Sequence, residues 1–367
     1  MSCDAGRMGG YGARSNERAQ RQIQGTRWQI AVKSDGADQF ELFAAGGPDA
    51  ALIGTVELPE HLAAALPILP EGLRLGTSSW SFPGWGGIVY ARRAGEQLLA
   101  REGLGAYSRH PLLRAVGVDR TFYAPLSADE FRRYVQPVPT DFRFVVKAHA
   151  ALTTPIDKQA RNNAVTPDVD RFLDLRYAIE RVVTPAVDGL GDRLGALLLQ
   201  FPPLGLPYSR EPQLFVNALD AFLQALPRGP QYAVEVRNRE ILGPAYADVL
   251  ARNGATHCFN VHPRMPGVLE QADVLGEHSW RSGTVVVRWM LHPSQDYEAA
   301  RERYFPFDRI VDPDPGNRAA VATLLERVLA RGNEAIVIAN NKAEGCAPLT
   351  LFGLVREIAR RAGLPTA

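Results

Sequence analysis

The chain is predicted to fold as a (β/α)8 TIM barrel preceded by an N-terminal extension. Three observations carry that reading. Short apolar segments recur from Leu73 onward, helical patterns separate most of them, and polar side chains gather at the C-terminal ends of the segments. An open doubly wound sheet is the alternative, weakened because no GxGxxG motif opens a helix after any strand.

Residues 1–25 are polar, glycine-rich and aperiodic, a composition that cannot bury enough apolar surface to order itself, so a disordered tail is expected. Residues 26–70 read as a small appendage in which WQIAV, QFELF and LIGTVEL are short strand candidates. The barrel domain is assigned to 71–367 and begins with LRLGTSSWSFPGWGGIVY. There a strand from Leu73 runs into a loop holding Trp80, Phe82 and Trp85 among glycines that permit unusual backbone. Such a loop is either a pocket wall or an aromatic plug.

The remaining strand candidates are Val116–Phe122, Phe142–Ala148, Ala196–Phe201, Tyr232–Val236, Thr256–Asn260, Val285–Trp289 and Ala335–Ala339. Between them, Ser127 and Glu130 form a capping box ahead of Phe131–Val135. Thr166-Pro167 opens a run to about Ala186, and helical spacing recurs over Pro212–Leu226, Ala319–Leu329 and Leu349–Ala362. Val261–Thr284 looks irregular and is expected to be a long loop.

Composition narrows the function classes. Of 367 residues 46% are hydrophobic and 22% charged, enough for a large core, and the net charge of +1 provides no global field for nucleic acid or an anionic membrane. The three cysteines, far apart and without CxxC, indicate neither a disulfide framework nor structural zinc. With no bilayer-length apolar run and no apolar signal segment near Met1, the expected location is the cytoplasm.

Side-chain parity places the candidate site. Strand period is two, so Lys147 and His149 share a face, as do Glu235 and Arg237. Gln200, Arg288, Asn340 and Asn341 sit at or just past other strand ends, and Tyr123 follows the second strand after Asp119 and Arg120. These ends form one rim in a barrel, where active sites lie. Cations outnumber carboxylates in this set, and arginine suits bidentate binding of phosphate or carboxylate. The rim is therefore an anion pocket or a structural ion-pair network. His149, His257, His262 and Glu235 are too few and too scattered in type to favour a metal, and no cofactor is indicated. A Ser-His-Asp triad lacks its GxSxG elbow. A Schiff-base role is open to Lys147, whose pKa the arginines would lower and Glu235 would raise.

From Leu73 to near the C-terminus the chain resembles the YecE-like family, a TIM-barrel family of unknown function. The motifs are LGTSSWSFPGW, TFYAP, FRFVVKAH, LGDRLGALLLQFPP, YAVEVRN, VVVRW and IVIANNKAEGCAP, in that order. The resemblance implies a Glu in the second strand, where this chain has Gly117. It implies a His after the arginine–aromatic pair of the seventh, where Arg288-Trp289 is followed by Met290, and an Asp after the paired asparagines, where Lys342 stands. These departures make the expected rim more basic.

The expected function is an enzyme acting on a small anionic metabolite, phosphorylated or carboxylated and sugar-like. Glu235 would be general acid or base, Lys147 the electrophilic or proton-transfer partner, and Arg237 and Arg288 the anion clamp. Trp80 would stack on the ligand, with Tyr123, His149, Gln200, Asn340 and Asn341 completing the pocket. Isomerase, lyase and hydrolase chemistry are not separated at this level. The alternative is a non-catalytic anion-binding or sensing protein with the same pocket. Neither nucleic acid nor membrane is an expected partner.

Overall fold

The computed structural model describes residues 53–155, 170–280 and 283–364. The expected tail, the WQIAV and QFELF strands and the Thr166-Pro167 helix start lie outside those residues. All strands of the sheet among the described residues are parallel, and their order is β6-β5-β4-β3-β2-β1-β9-β8-β7. They are β1 (Leu73–Thr77), β2 (Leu113–Val118), β3 (Arg143–Lys147), β4 (Leu194–Gln200), β5 (Tyr232–Glu235), β6 (Thr256–His257), β7 (Phe259–Val261), β8 (Thr284–Trp289) and β9 (Glu334–Ala339). β6 and β7 are two halves of one stave, interrupted at Cys258. The first half pairs with β5 and the second with β8, while β1 pairs with both β2 and β9. Eight staves among the described residues therefore close a ring, and the architecture is an α/β barrel.

Register decides which side chains point inward. Ala115, Val145, Ala196, Leu198, Ala233, Cys258, Val286, Ile336 and Ile338 form a buried cluster of their own, apart from the larger cluster between staves and helices. The period of two then places Gly117, Lys147, Gln200, Glu235, Arg288 and Asn340 one step further toward the C-terminal mouth. At the opposite end Arg74 meets Glu334 at 3.1 Å. The interior is thus an apolar layer between two charged ones.

The helices follow from local signals. Ser127 Oγ accepts from Glu130 N, and the Glu130 carboxylate accepts from Ser127 N, so the capping box opens Ala128–Val135 as the spacing predicts. Pro212–Ala225, Pro315–Leu329 and Ala347–Arg361 each begin with proline near the first helical position. In the described part of the fourth crossover, Asp174 caps Leu175–Ala178 through Tyr177 N at 2.9 Å. A π-turn over Ile179–Val183 and a helix over Thr184–Leu190 follow.

Three expectations need correction. The second strand ends at Val118, and Asp119–Phe122 is a 3-10 turn. The segment expected to be a long loop instead holds the end of β7, the helix Val268–Leu275 and the 3-10 turn Glu277–Trp280. Val268, Ala272 and Leu275 bury one face of that helix, a pattern too short to stand out along the chain. The described residues of LIGTVEL make one antiparallel bridge, Thr55 to Tyr90, rather than a strand. Ile53, Leu62 and Ala65 are buried in the barrel's outer core, so this part of the appendage packs as one body with the barrel.

Candidate functional site

The mouth is built around Glu235, which ends β5 and has no solvent exposure. A carboxylate there persists only if paired, since isolated burial of its charge costs several kcal/mol or more. Both of its oxygens face arginines. Arg288 Nη1 donates to Oε2 at 2.6 Å, and the Arg237 guanidinium lies against Oε1. Burial alone would raise the Glu235 pKa, but the charges of Arg237, Arg288 and Lys147 outweigh it and hold the carboxyl at about 2. Arg288 is itself buried and reaches across the ring. Its Nη2 donates to Asp119 Oδ2 at 2.9 Å and Oδ1 at 3.2 Å. Arg237 Nη1 also donates to Asn260 Oδ1 at 3.4 Å.

Asp119 is the residue that sequence reasoning passed over. It lies two positions after Gly117, past the end of β2 in a 3-10 turn where strand parity no longer places a side chain, and the resemblance directed attention to 117. A Cβ on Gly117 would come within 3.2 Å of Ser78 Cα, leaving little room for a longer side chain on this backbone. Asp119 supplies a carboxylate just past this strand end. The expectation of a more basic rim is corrected accordingly, because Asp119 and Glu235 offset Arg237 and Arg288 and leave Lys147 as the fifth charge. The free-clamp reading of Arg237 and Arg288 is corrected on the same ground, since both guanidiniums already face carboxylates.

Lys147 ends β3. Its Nζ sits 3.7 Å from the centre of the Phe122 ring, and its carbonyl accepts from Thr121 Oγ1 at 2.6 Å. Burial lowers its pKa to about 8. The nearby Asp119 and Glu235 oppose that shift, and Arg288 and Arg237 add to it. Beside it opens a cleft lined by Thr121, Leu126, Lys147, His149, Arg181 and Val182 among others. Its volume is about 200 Å3 counted to the open mouth, and its enclosed part holds about one water. Arg181 and Val182 come from the π-turn, an irregularity that recurs at functional sites.

His149 stands at the N-cap position of the short helix Ala150–Thr153, its side chain turned to other partners. Its Nε2 lies 3.3 Å from the Tyr123 carbonyl and its Nδ1 lies 2.8 Å from the Tyr177 hydroxyl. A carbonyl only accepts, so Nε2 carries the hydrogen and Nδ1 accepts from Tyr177. Burial lowers its pKa, which keeps the ring neutral. Tyr177 has no sequence signal that ties it to this strand end.

The other site residues divide by environment. Tyr123 is 64% exposed, with its ring edge-on to Phe122. Gln200 lies in register with Glu235 on the neighbouring stave. Asn340 Nδ2 donates to Ser78 Oγ at 2.9 Å, joining β9 to the first loop. Asn341 is buried, and its Oδ1 accepts from Ala347 N at 2.8 Å and Trp85 Nε1 at 3.3 Å. It therefore ties the last helix to the aromatic loop rather than offering an amide to a ligand. Trp80 is likewise corrected from ligand platform to plug. It is 5% exposed, donates to Ala100 O at 3.3 Å and packs edge-on to Tyr134.

The histidines weighed as metal ligands have other partners. His257 is fully buried between Tyr246 and Gln271, and burial lowers its pKa to about 4. His262 Nδ1 accepts from Arg264 N. Among the described residues no three His, Cys, Asp or Glu side chains converge on one point. Nor is any described helix long and apolar enough to cross a membrane.

Fold and site together define a parallel α/β barrel whose C-terminal mouth carries a buried ladder of charge with one amine beside it. The chain belongs to the DUF72 family: the family model described as "Protein of unknown function DUF72" matches residues 74–366. That stretch coincides with the one picked out by the sequence motifs. Among solved structures it is similar to a DUF72 family protein from Enterococcus faecalis V583. Identity is 16%, with 80% of this chain and 97% of that one covered, at a TM-score of 0.49. A DUF72 family protein from Thermotoga maritima MSB8 is similar at 18% identity over 79% of this chain and 99% of that one, also at a TM-score of 0.49. No curated protein matches the chain.

Proposed function

We propose that the barrel mouth binds a small anion, carboxylate or phosphate, at the Lys147–His149–Arg181 cleft, and that the protein is an enzyme acting on a small anionic metabolite there. The observation that carries this reading is Lys147, the charge left after two carboxylates and two guanidiniums offset one another. Arg181, in the same cleft, adds a second cation. Lys147, not Glu235, is the proton-transfer group in this reading. An amine with a pKa of about 8 is close to the optimum for acid–base work at neutral pH, whereas a carboxyl held at about 2 is a weak base. Glu235 has the part of fixed counter-charge that keeps the arginines in place. Asp119, with a side-chain exposure of 30%, is the carboxylate of the ladder that a ligand can reach.

A non-catalytic anion sensor is the second reading, favoured by one observation: every other strong acid or base of the ladder is already paired. The two are separated by thermal shift with inorganic phosphate and small carboxylates, followed by product analysis on each hit. Glu235→Gln would release a guanidinium, so it is expected to bind anions more tightly while losing roughly 3–5 kcal/mol of stability through the broken buried pair. Weaker anion binding in this variant would contradict the assignment of Glu235 as the arginines' counter-charge.

A further inference from the structure

We propose that Lys147 is an imine-forming amine, a nucleophile toward the carbonyl carbon of a small oxo compound that also bears a carboxylate or phosphate. This rests on the anion-binding reading of the mouth and names the reactive group that such an anion would carry.

The first support is composition. Only four of the chain's 41 lysine and arginine residues are lysines: Lys33, Lys147, Lys158 and Lys342. Nearly every cationic task in this protein falls to arginine, which stays protonated and cannot act as a nucleophile. A barrel mouth that needed only positive charge beside Glu235 would be served by a third arginine. Instead it holds an amine, the cationic side chain that can lose its proton.

The second support is geometry. Lys147 Nζ lies against the face of Phe122, and Lys147 is among the residues that line the neighbouring cleft with Thr121, Val146, His149 and Arg181. The carboxylates within its electrostatic reach are Asp119 and Glu235, and both are engaged by Arg288, with Arg237 also on Glu235. The residue is half-buried, its amine rests on an aromatic ring, and the neighbouring carboxylates are committed elsewhere. Its pKa of about 8 makes the neutral form available near physiological pH, on the order of 100-fold more than for a solvated lysine. The enclosed part of the cleft holds about one water, so a small oxo acid would sit largely in its open mouth.

The step balances without an oxidant or reductant. The nitrogen lone pair forms a bond to the carbonyl carbon, and the carbonyl π pair moves to oxygen, which takes a proton to give a carbinolamine. The nitrogen then forms the C=N bond as the C–O bond breaks, and the oxygen leaves as water carrying the protons given up by the amine. The ligand's anionic group is oriented by Arg181.

The test is reductive trapping on the full chain. Glyoxylate, an aldehyde carrying a carboxylate, is added with cyanoborohydride, and peptide mass spectrometry locates the carboxymethyl-lysine. At pH 7.5 the expected result is at least ~10-fold more adduct at Lys147 than at Lys33, Lys158 or Lys342, with labelling that rises to a plateau above about pH 8 and slows when inorganic phosphate is present. Equal or lower labelling at Lys147 overturns the proposal. If phosphate still raises the melting temperature of that protein, anion binding survives and the imine alone is lost. If Lys147 labels but phosphate neither stabilises nor competes, the imine stands and the anion reading falls. Lys147→Arg keeps the charge and is expected to retain phosphate stabilisation with no adduct at that peptide. Peptide mapping of the wild-type protein decides the matter even if the variant does not fold.

Discussion

At the scale of single residues, Lys147 shows how a site can cost stability. Burial brings its pKa down from the ordinary 10.5 to about 8, so the unfolded chain binds the proton more tightly than the folded one. Below pH 8 the amine is charged in both states, and the folded state carries the full cost of desolvating it, up to about 3 kcal/mol. Between pH 8 and 10.5 the folded state sheds its proton first, and stability rises with pH. Lys147→Met is therefore expected to melt a few degrees higher than the wild type at pH 7, with the gap closing by about pH 10.5. Calorimetry across that range checks it, and a constant gap would mean that packing rather than charge sets the difference. Much of this site was legible from strand parity alone, because Lys147, Glu235 and Arg288 face inward for the reason the alternation gives. Asp119 was not legible, since it lies past the strand end in a 3-10 turn where a period of two no longer applies.

At the scale of elements, the loop between β1 and its helix is held by contacts from the far end of the chain. Asn341 Oδ1 accepts from Trp85 Nε1 and from Ala347 N, the first residue of the closing helix Ala347–Arg361. Gly84 lies so close to the Pro306 carbonyl that a Cβ would sit 2.1 Å from that oxygen. Asn341→Ala would leave two buried donors without an acceptor, a loss of about 2–4 kcal/mol. Asn341→Asp, which retains the accepting oxygen, should recover part of it. Urea unfolding of both variants measures the difference, and an Ala variant within ~0.5 kcal/mol of wild type would rule the tie out as a structural support. The paired asparagines were expected to bind ligand because they follow a strand end. The burial of Asn341 depends on where the aromatic loop folds back, and side-chain spacing along one strand carries no information about that.

At the scale of the whole molecule, the barrel was legible because its staves are buried on both faces and read as apolar runs separated by capped helices. The sixth stave and its crossover were less so. Its halves are two and three residues long, and the helix after it is eight, too short for periodicity to separate from a loop. The acid response of the fold follows from its buried histidines, His110 and His257, and the half-buried His262. Burial lowers His110, His257 and His262 to about 4, so in each the unfolded state binds the proton first as pH falls. Stability is thus expected to decline from about pH 6.5 toward pH 4. Glu235 adds a second loss below about 4.5, as its folded-state advantage disappears on the way to pH 2. Thermal melts through this range check the sign. For His257→Gln, a slope as steep as the wild type between pH 6.5 and 4 would show that this imidazole is not a contributor.

The Asp119–Arg288–Glu235 chain also acts as a strut. Its three members follow β2, belong to β8 and end β5, staves spaced around the ring rather than adjacent in it. One guanidinium thus braces opposite walls of the cylinder. A ligand that drew Asp119 toward itself would slacken that brace at the same moment, coupling occupancy of the mouth to the width of its opening.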